Sequence, residues 1–284
     1  MLVSEQDRII GPHGNLKSAL KDWMRCADLP KSKGKIIRHL DEEPLHRNAL
    51  LDECAMWLVL RIVGEPTLKY LQNEKKTLSP VEYKETVEAA KYLPIDDKTR
   101  KGDLGEILLS KYLEEVTGFT SFGIYRLVYG TNIDKSMFGD DVLLFHPSNI
   151  NDSVIYGESK VRGEPSNQVI DEIVNNLQGM RKFPVSITFI TKRLIERGDC
   201  DLAQEINKMQ VQMAQNKVPV RNIGFLMSKR DAEHAGQDTL SKVVSHLNYT
   251  NPNLAFIALG IDDVQQFVDE AYQRANNILF SGRP

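Results

Sequence analysis

Three carboxylates and a lysine stand near the ends of apolar segments in the middle of the chain. Glu106 lies in GDLGEILLSKYLEE, Asp141 in FGDDVLLF, and Glu158 and Lys160 in VIYGESKVR. Side chains two residues apart on a strand share a face, so Glu158 and Lys160 point the same way. If the strands that carry Asp141 and Glu158 pair, two carboxylates and a lysine meet at one place.

That arrangement is suited to metal-dependent cleavage of a phosphodiester. Two close carboxylates repel each other unless a cation lies between them, and a hard divalent ion prefers oxygen ligands. Mg²⁺, with Mn²⁺ as substitute, polarises a phosphate and activates water, and a lysine offsets the developing charge. We therefore expect Asp141 and Glu158 to be metal ligands, with Glu106 joining them through a water.

Solvated strand ends explain the same residues equally well. An acid two residues before a lysine also occurs at Glu74–Lys76 and Asp96–Lys98, so the spacing alone has little value. The choice between Asp140 and Asp141 is open as well, because the two aspartates are adjacent.

The elements around these residues are predicted from hydrophobic periodicity. The pattern predicts a helix over residues 98–116, strands over 121–129, 141–145 and 153–161, a helix over 165–182 and a strand over 185–191. Helices over 199–215, 238–247 and 262–279 then alternate with strands over 222–227 and 254–259. The order α-β-β-β-α-β, followed by alternation, favours an α/β sheet with helices on its faces.

The first 95 residues read as mainly helical. Helices are predicted over residues 15–29, 45–63 and 79–93, the last opened by a capping box from Ser79 to Glu82. Residues 94–101 suggest a boundary, which divides the chain into 1–95 and 96–284. The apolar residues of 45–63 cover more than one helix face, so that helix either packs in the core or docks a partner.

The central segment resembles the core of the PD-(D/E)xK nuclease superfamily. Within it, GDLGE, GDD-VLLF and GESK are similar to the nuclease subunit of the Hachiman anti-phage defence system. The resemblance implies an α/β fold with an α-β-β-β-α-β nuclease core, extended by further helices and strands. It also implies catalytic roles for Asp141, Glu158, Lys160 and the helix acid Glu106.

The same resemblance implies a partner, a superfamily 2 helicase encoded alongside, which restrains the nuclease until invasion. The chain has 36 Lys and Arg against 39 Asp and Glu, a net charge of -3, so it is not a stand-alone DNA coat. That charge is consistent with a subunit that binds DNA largely through its helicase partner. The alternatives are a non-cutting nuclease-fold scaffold on the helicase and a stand-alone structure-specific or RNA nuclease.

Weaker candidates for DNA contact surround the motif. These polar or basic residues are Arg162, Gln168, Arg181, Lys182, Lys192 and Arg193. They either bind DNA phosphates, which positions DNA without reading its sequence, or form an ordinary solvent-exposed surface.

The cysteines and the apolar runs exclude other classes. Cys26, Cys54 and Cys200 are far apart, which argues against a zinc site or a disulfide framework. The N-terminus has no secretory pattern, and the apolar runs are too short to span a bilayer. We therefore expect a cytoplasmic protein with no membrane contact.

Overall fold

One six-stranded sheet organises the part of the chain that the computed structural model describes, which is residues 4–30, 34–130, 132–135, 139–178, 185–230 and 238–281. The order across the sheet is β1-β2-β6-β5-β4-β3. The inner strands β2, β6, β5 and β4 are parallel, and the edge strands β1 and β3 are antiparallel to their neighbours. The strands are β1 (Met24–Asp28), β2 (Ile37–Glu42), β3 (Val142–Phe145), β4 (Val154–Val161), β5 (Val220–Lys229) and β6 (Leu254–Ile261).

Helices cover both faces of the sheet. Every residue of β6 is buried, as a parallel strand with helices on both sides requires. Helices α3, α6 and α11 share one core cluster with one side of the sheet, whereas α7 to α10 pack against the other side. The helices are α1 (Glu5–Ile9), α2 (Leu20–Trp23), α3 (Arg47–Leu58), α4 (Glu65–Thr77), α5 (Pro80–Ala90), α6 (Asp97–Thr117), α7 (Asn167–Gln178), α8 (Val185–Arg197), α9 (Cys200–Ala214), α10 (Thr239–His246) and α11 (Val264–Ser281).

Two short helical segments matter for the site. Helix α3 runs on into a π-helical turn, Val59–Val63, which ends at Gly64 with φ 87°. A 3₁₀ turn, Arg126–Tyr129, called here the Arg126 turn, packs against that π turn. No helix in the described residues has both the length and the apolar composition needed to cross a bilayer.

The mixed α/β prediction is confirmed, and so are four strands and most helices. The strands predicted over 141–145, 153–161, 222–227 and 254–259 correspond to β3, β4, β5 and β6. The capping box at Ser79 is present in both directions, with the Ser79 hydroxyl accepting from the amide of Glu82.

Three predicted elements are wrong. Residues 15–29 are helical only at η1 (His13–Asn15) and α2. They continue as β1, because pairing with β2 outweighs the local helical spacing. Residues 121–129 form a loop and the Arg126 turn, since Phe122 and Gly123 both have positive φ, which an extended strand does not allow. Residues 185–191 belong to α8.

The α8 error comes from choosing the wrong period. Its β-branched residues favoured a strand, but Ile187, Ile190 and Leu194 are buried at helical spacing. The predicted order α-β-β-β-α-β is therefore not what the described residues show: two of the three predicted strands are present, and α8 replaces the strand after α7.

The first 95 residues share the sheet and the core with the rest of the chain. They supply β1 and β2, and α3 packs against α11. Leu50, Leu51 and Leu58 of α3 are completely buried there, whereas Met56 and Trp57 are half-buried. Core packing thus accounts for most of the apolar surface of this helix, and its docking of a partner stays a prediction.

Candidate active site

Asp141 and Glu158 lie side by side where β3 begins. The antiparallel register pairs Val142 with Gly157, so Asp141 stands opposite Glu158 one step beyond the last paired residues. The carboxylate of Asp141 accepts a hydrogen bond from the Ser159 amide, Oδ2 to N 2.9 Å. The strand pairing that the sequence required for convergence is therefore present.

Glu158 and Lys160 point to the same side of β4, towards α7. Their side chains form an ion pair, and Asn176 donates to Glu158 Oε1 at 2.8 Å. Lys160 Nζ also lies 3.8 Å from Glu172 Oε1. Burial raises the pKa of the Glu158 carboxyl and the charge of Asp141 raises it further, against the opposing effects of Lys160 and Asn176.

Helix α6 lies on the other side of β4 at very short range. A Cβ on Gly105 would stand 2.6 Å from Ser159 Oγ, and a Cβ on Gly157 would stand 2.8 Å from a methyl group of Leu109. Real Cβ atoms essentially never come so close to another atom, so a larger residue at either position would force the neighbouring side chains to move. This close approach brings the acids of α6 to the end of β3 that carries Asp141.

Asp103 and Glu106 are the acids that α6 delivers. Burial raises the pKa of Asp103 to about 7 and that of Glu106 to about 8; Arg126 opposes both shifts and Asp141 adds to them. The guanidinium of Arg126 pairs with Glu106, and its Nη2 lies 3.7 Å from Asp141 Oδ1.

Asp141 connects two groups that the sheet separates. Glu158 and Lys160 face α7, whereas their neighbour Ser159 faces α6, on the side of Glu106. Glu106 and Glu158 therefore belong to opposite faces of β4. The structure brings Asp141, Glu158 and Lys160 together, and it connects Glu106 to Asp141 through Arg126.

Asp141 and Glu158 have the chemistry that Mg²⁺ takes. Both offer carboxylate oxygens, and the pKa of Glu158 is raised first by burial and then by the charge of Asp141. In the described residues no three acidic, histidine or cysteine side chains come close enough to hold a metal. Mg²⁺ is commonly bound by one or two carboxylates and keeps several waters, so a pair of carboxylates fits it.

Asp140 is oriented differently from Asp141. Its backbone amide donates to Ser186 Oγ at 2.9 Å, and its charge contributes, after burial, to the raised pKa of Tyr156. Its Oδ2 is buried and has no hydrogen-bond partner among the described residues. Of the two aspartates, Asp141 is the one that contacts the strand of Glu158.

A cleft of about 520 Å³, a volume that includes space open to solvent, adjoins Asp141 and Glu106. Its wall combines two arginines with aromatic side chains, which are Arg61, Arg126, Tyr125 and Phe189. The Arg61 guanidinium stacks on the Tyr125 ring at 4.5 Å and pairs with Glu114 at 2.7 Å. Three acids, Glu106, Asp140 and Asp141, line the same cleft, and Arg126 is paired with Glu106.

The predicted DNA contacts do not form one cluster. Gln168 and Lys192 are exposed, and Arg162 donates to the adjacent Val161 carbonyl at 2.9 Å. Arg193 pairs with Glu196 and stacks on Tyr129 of the Arg126 turn at 4.5 Å. Arg181 and Lys182 lie outside the described residues.

The site is called here the cluster, and its members are Asp103, Glu106, Arg126, Asp141, Glu158, Lys160 and Asn176. The sequence reasoning missed three of them. Asp103 stands three residues before Glu106, which places both on one face of a helix, so this spacing was available as a signal. Asn176 lies on the helix predicted over 165–182, which also carries the candidate Gln168. Arg126 gave no signal, because it was assigned to a strand.

The family model that matches this chain is that of HamA, over residues 17–275. The chain belongs to the HamA family. A curated relative, the Hachiman protein HamA of Bacillus cereus, is 32% identical over 277 residues, which cover 98% of this chain and 97% of the relative. The matched span includes the whole cluster from Asp103 to Asn176. The resemblance to the Hachiman subunit is thus confirmed at the level of the HamA family.

Proposed function

We propose that this HamA family member is the metal-dependent DNA endonuclease subunit of an anti-phage defence complex. The observation that carries the proposal is the convergence of Asp141, Glu158 and Lys160 at one end of the β3–β4 pair. Similarity to a Hachiman protein supports the role in defence. The PD-(D/E)xK assignment belongs to this proposal and is supported by the same three residues on two adjacent strands.

Each residue has a role that its position allows. Asp141 and Glu158 would hold Mg²⁺, or Mn²⁺ in its place, and the ion would supply Lewis acidity and an activated water. Lys160 lies beside Glu158, where its ammonium group can orient the attacking water or offset charge on the phosphate. Glu106 lies on the α6 side, where it sets the position of Arg126 next to Asp141 and would join the metal only through a water.

A helicase of superfamily 2 completes the proposal as the partner that engages DNA and restrains cutting. The net charge of -3 supports it, since a chain of this charge gains little from general attraction to DNA. The cleft next to Asp141 is the surface where we place the DNA strand.

The test is plasmid nicking by the purified chain, alone and with the product of the neighbouring gene. We expect cleavage with Mg²⁺ or Mn²⁺, none in EDTA, and poor cleavage with Ca²⁺, which is larger and acidifies water less. A matched RNA substrate separates DNA from RNA cleavage. Cleavage that persists in EDTA would overturn the metal-dependent assignment.

One observation favours a second function, a nuclease-fold scaffold that binds DNA without cutting. The carboxylates of the cluster are already paired with Arg126 and Lys160, and the described residues hold no group of three metal-ligating side chains. On that alternative, the complex with the helicase binds DNA but does not nick it at any Mg²⁺ concentration. Binding and nicking measured on the same samples decide between the two functions.

A further inference from the structure

Arg126 lies between two acids of the cluster, Glu106 and Asp141, where a cation offsets their negative charge. Its guanidinium pairs with Glu106, and Nη2 is 3.7 Å from Asp141 Oδ1. The other oxygen of Asp141 accepts from the Ser159 amide. The side of Asp141 that faces away from β4 is therefore the side that Arg126 occupies.

The surrounding backbone holds the Arg126 side chain in this position. Only 12% of the side chain is exposed. Gly139, at φ 144°, passes so close that a Cβ would stand 3.4 Å from Arg126 Cδ and 3.1 Å from Ser186 Oγ. Both the positive φ and the close approach favour glycine at position 139. Without a side chain there, the backbone before Asp141 packs directly against the Arg126 side chain.

The Arg126 turn is in turn supported by the π turn that follows α3. A Cβ on Gly64 would stand 3.2 Å from Val128. The Arg61 guanidinium stacks on Tyr125, the residue before Arg126. Arg126 is thus supported from two directions, by the segment before Asp141 and by the π turn at the end of α3.

We propose that Arg126 is a built-in counter-ion that competes with the divalent metal for Asp141. Asp141 Oδ2 already accepts from the Ser159 amide, so Oδ1 is the oxygen left for a metal, and Oδ1 is the oxygen that Arg126 approaches. The guanidinium and the metal therefore compete for it, and metal binding requires Arg126 to withdraw from Asp141. The chain then binds metal weakly until the arginine is drawn away. The inference rests on the proposed function, because it takes Asp141 as the carboxylate that holds the metal.

Lys160 does not have the same role. It lies on β4 itself, between paired residues of an inner strand, and its ion pair is with Glu158 rather than Asp141. Arg126 lies on a four-residue turn outside the sheet. Of the two cations, Arg126 is the one whose removal from its carboxylate leaves the strand pairing intact.

Mn²⁺ binding to the full-length chain without DNA tests the inference directly. The free ion is measured by electron paramagnetic resonance, a readout that does not depend on cleavage. We expect Arg126→Gln to bind Mn²⁺ about tenfold more tightly than the wild type, because it removes a positive charge within about 4 Å of the ligand. The matched control is Arg100→Gln, which removes an arginine of α6 whose side chain is 18% exposed and pairs with Asp269, and it should change the affinity less than about twofold.

Further variants separate failure of the inference from failure of the proposed function. If Asp141→Asn weakens Mn²⁺ binding but Arg126→Gln does not strengthen it, the inference is wrong and the metal site stands. If neither Asp141→Asn nor Glu158→Gln affects Mn²⁺ binding, the metal site fails and the inference with it.

Arg126→Lys keeps the question answerable if Arg126→Gln does not fold, as circular dichroism would show. Lysine keeps the charge but lacks the planar fork that reaches Glu106 and Asp141 together. We expect Mn²⁺ to bind about threefold more tightly to this variant than to the wild type, a smaller change than for Arg126→Gln. Affinity equal to or below that of the wild type would overturn the inference.

Discussion

Arginine pairs with carboxylates near both edges of the sheet, but the cation is the buried partner at one edge and the anions are the buried partners at the other. At the β1–β2 edge, the Arg38 side chain is completely buried, and its partners Asp7 and Asp28 are 30% and 27% exposed. Arg38 reaches Asp28 at 2.7 and 2.8 Å, and it donates to Asp7, the Gly11 carbonyl and the Tyr112 hydroxyl. The cation lies inside with every branch bonded, and the anions keep contact with water.

At the β3–β4 edge the anions are inside. The side chains of Glu158 and Glu106 are 9% and 13% exposed, and burial raises the pKa of both. Asp103 is equally buried, with a pKa raised to about 7. Four acids, counting Asp141, share two cations, Arg126 and Lys160.

The difference separates a cluster that stabilises the fold from one that strains it. Buried acids with raised pKa values are held at a cost in folding free energy, and such groups collect where a protein does chemistry. Arg38, whose guanidinium nitrogens are all hydrogen-bonded and whose acidic partners are partly exposed, stabilises the packing of α1, β1 and β2. Variants at the two edges should therefore have opposite profiles: loss of stability at one and loss of activity at the other.

The largest expected effect is on cleavage. Glu158→Ala and Lys160→Ala should each reduce DNA nicking at least about 10²–10³-fold, the first by removing a metal ligand and the second by removing a charge that offsets the phosphate. Folding and helicase binding should stay intact, as measured by circular dichroism and co-purification. Full nicking by either variant would remove the assignment of the β3–β4 edge as the active site.

The next effect is on stability at the opposite edge. Arg38→Met should lower the free energy of unfolding by about 3 kcal/mol, because it leaves the Gly11 carbonyl and the Tyr112 hydroxyl without their buried donor. The control is Arg25→Met on the neighbouring strand β1, whose side chain is 70% exposed; it should cost less than about 1 kcal/mol. Urea unfolding measures both, and equal losses would contradict a structural role for the Arg38 cluster.

A smaller effect distinguishes the two adjacent aspartates. Asp141→Asn should weaken Mg²⁺ or Mn²⁺ binding about 10–100-fold by removing one negative charge from the site. Asp140→Asn is the matched control and should do less, because it is the Asp141 side chain that accepts a hydrogen bond from Ser159 on the strand of Glu158. Metal titrations of the two variants make the comparison, and a larger loss from Asp140→Asn would exchange their roles.

The smallest effect is a pH dependence of stability. The raised pKa of Asp103 means that the folded chain holds a proton that the unfolded chain releases between about pH 4 and pH 7. Stability from this group is therefore present at low pH and is lost as pH rises through about 7. Urea unfolding in EDTA should show that Asp103→Asn reduces the loss between pH 5 and pH 8 by at least about 1 kcal/mol.

Asp97→Asn is the control on the same helix. The hydrogen bond from Lys101 is the largest of the effects that lower the pKa of Asp97. Its contribution is therefore present above the unfolded pKa and disappears on acidification, the opposite sign. The variant should keep the wild-type slope between pH 5 and pH 8. If Asp103→Asn keeps that slope as well, the acids of α6 do not strain the fold.

Local patterns were enough to find the acidic motif and the elements that carry it. The alternation of a strand puts Glu158 and Lys160 on one face whatever else the chain does, and the structure has them in contact. The Ser79 capping box depends on residues three apart, so its prediction is confirmed as well. These features follow from backbone periods that the residues themselves express.

Tertiary contacts decided the rest. Whether residues 24–28 form a strand depends on β2, which is paired to them, and the role of Arg126 depends on Glu106 and Asp141, which are 20 and 15 positions away along the chain. Residues 185–191 carry β-branched side chains that favour a strand, but their burial against the sheet at helical spacing made α8. The sequence alone determined which side chains share a strand or helix face. Pairing between distant segments and competition for burial decided which acids meet, and which cation lies between them.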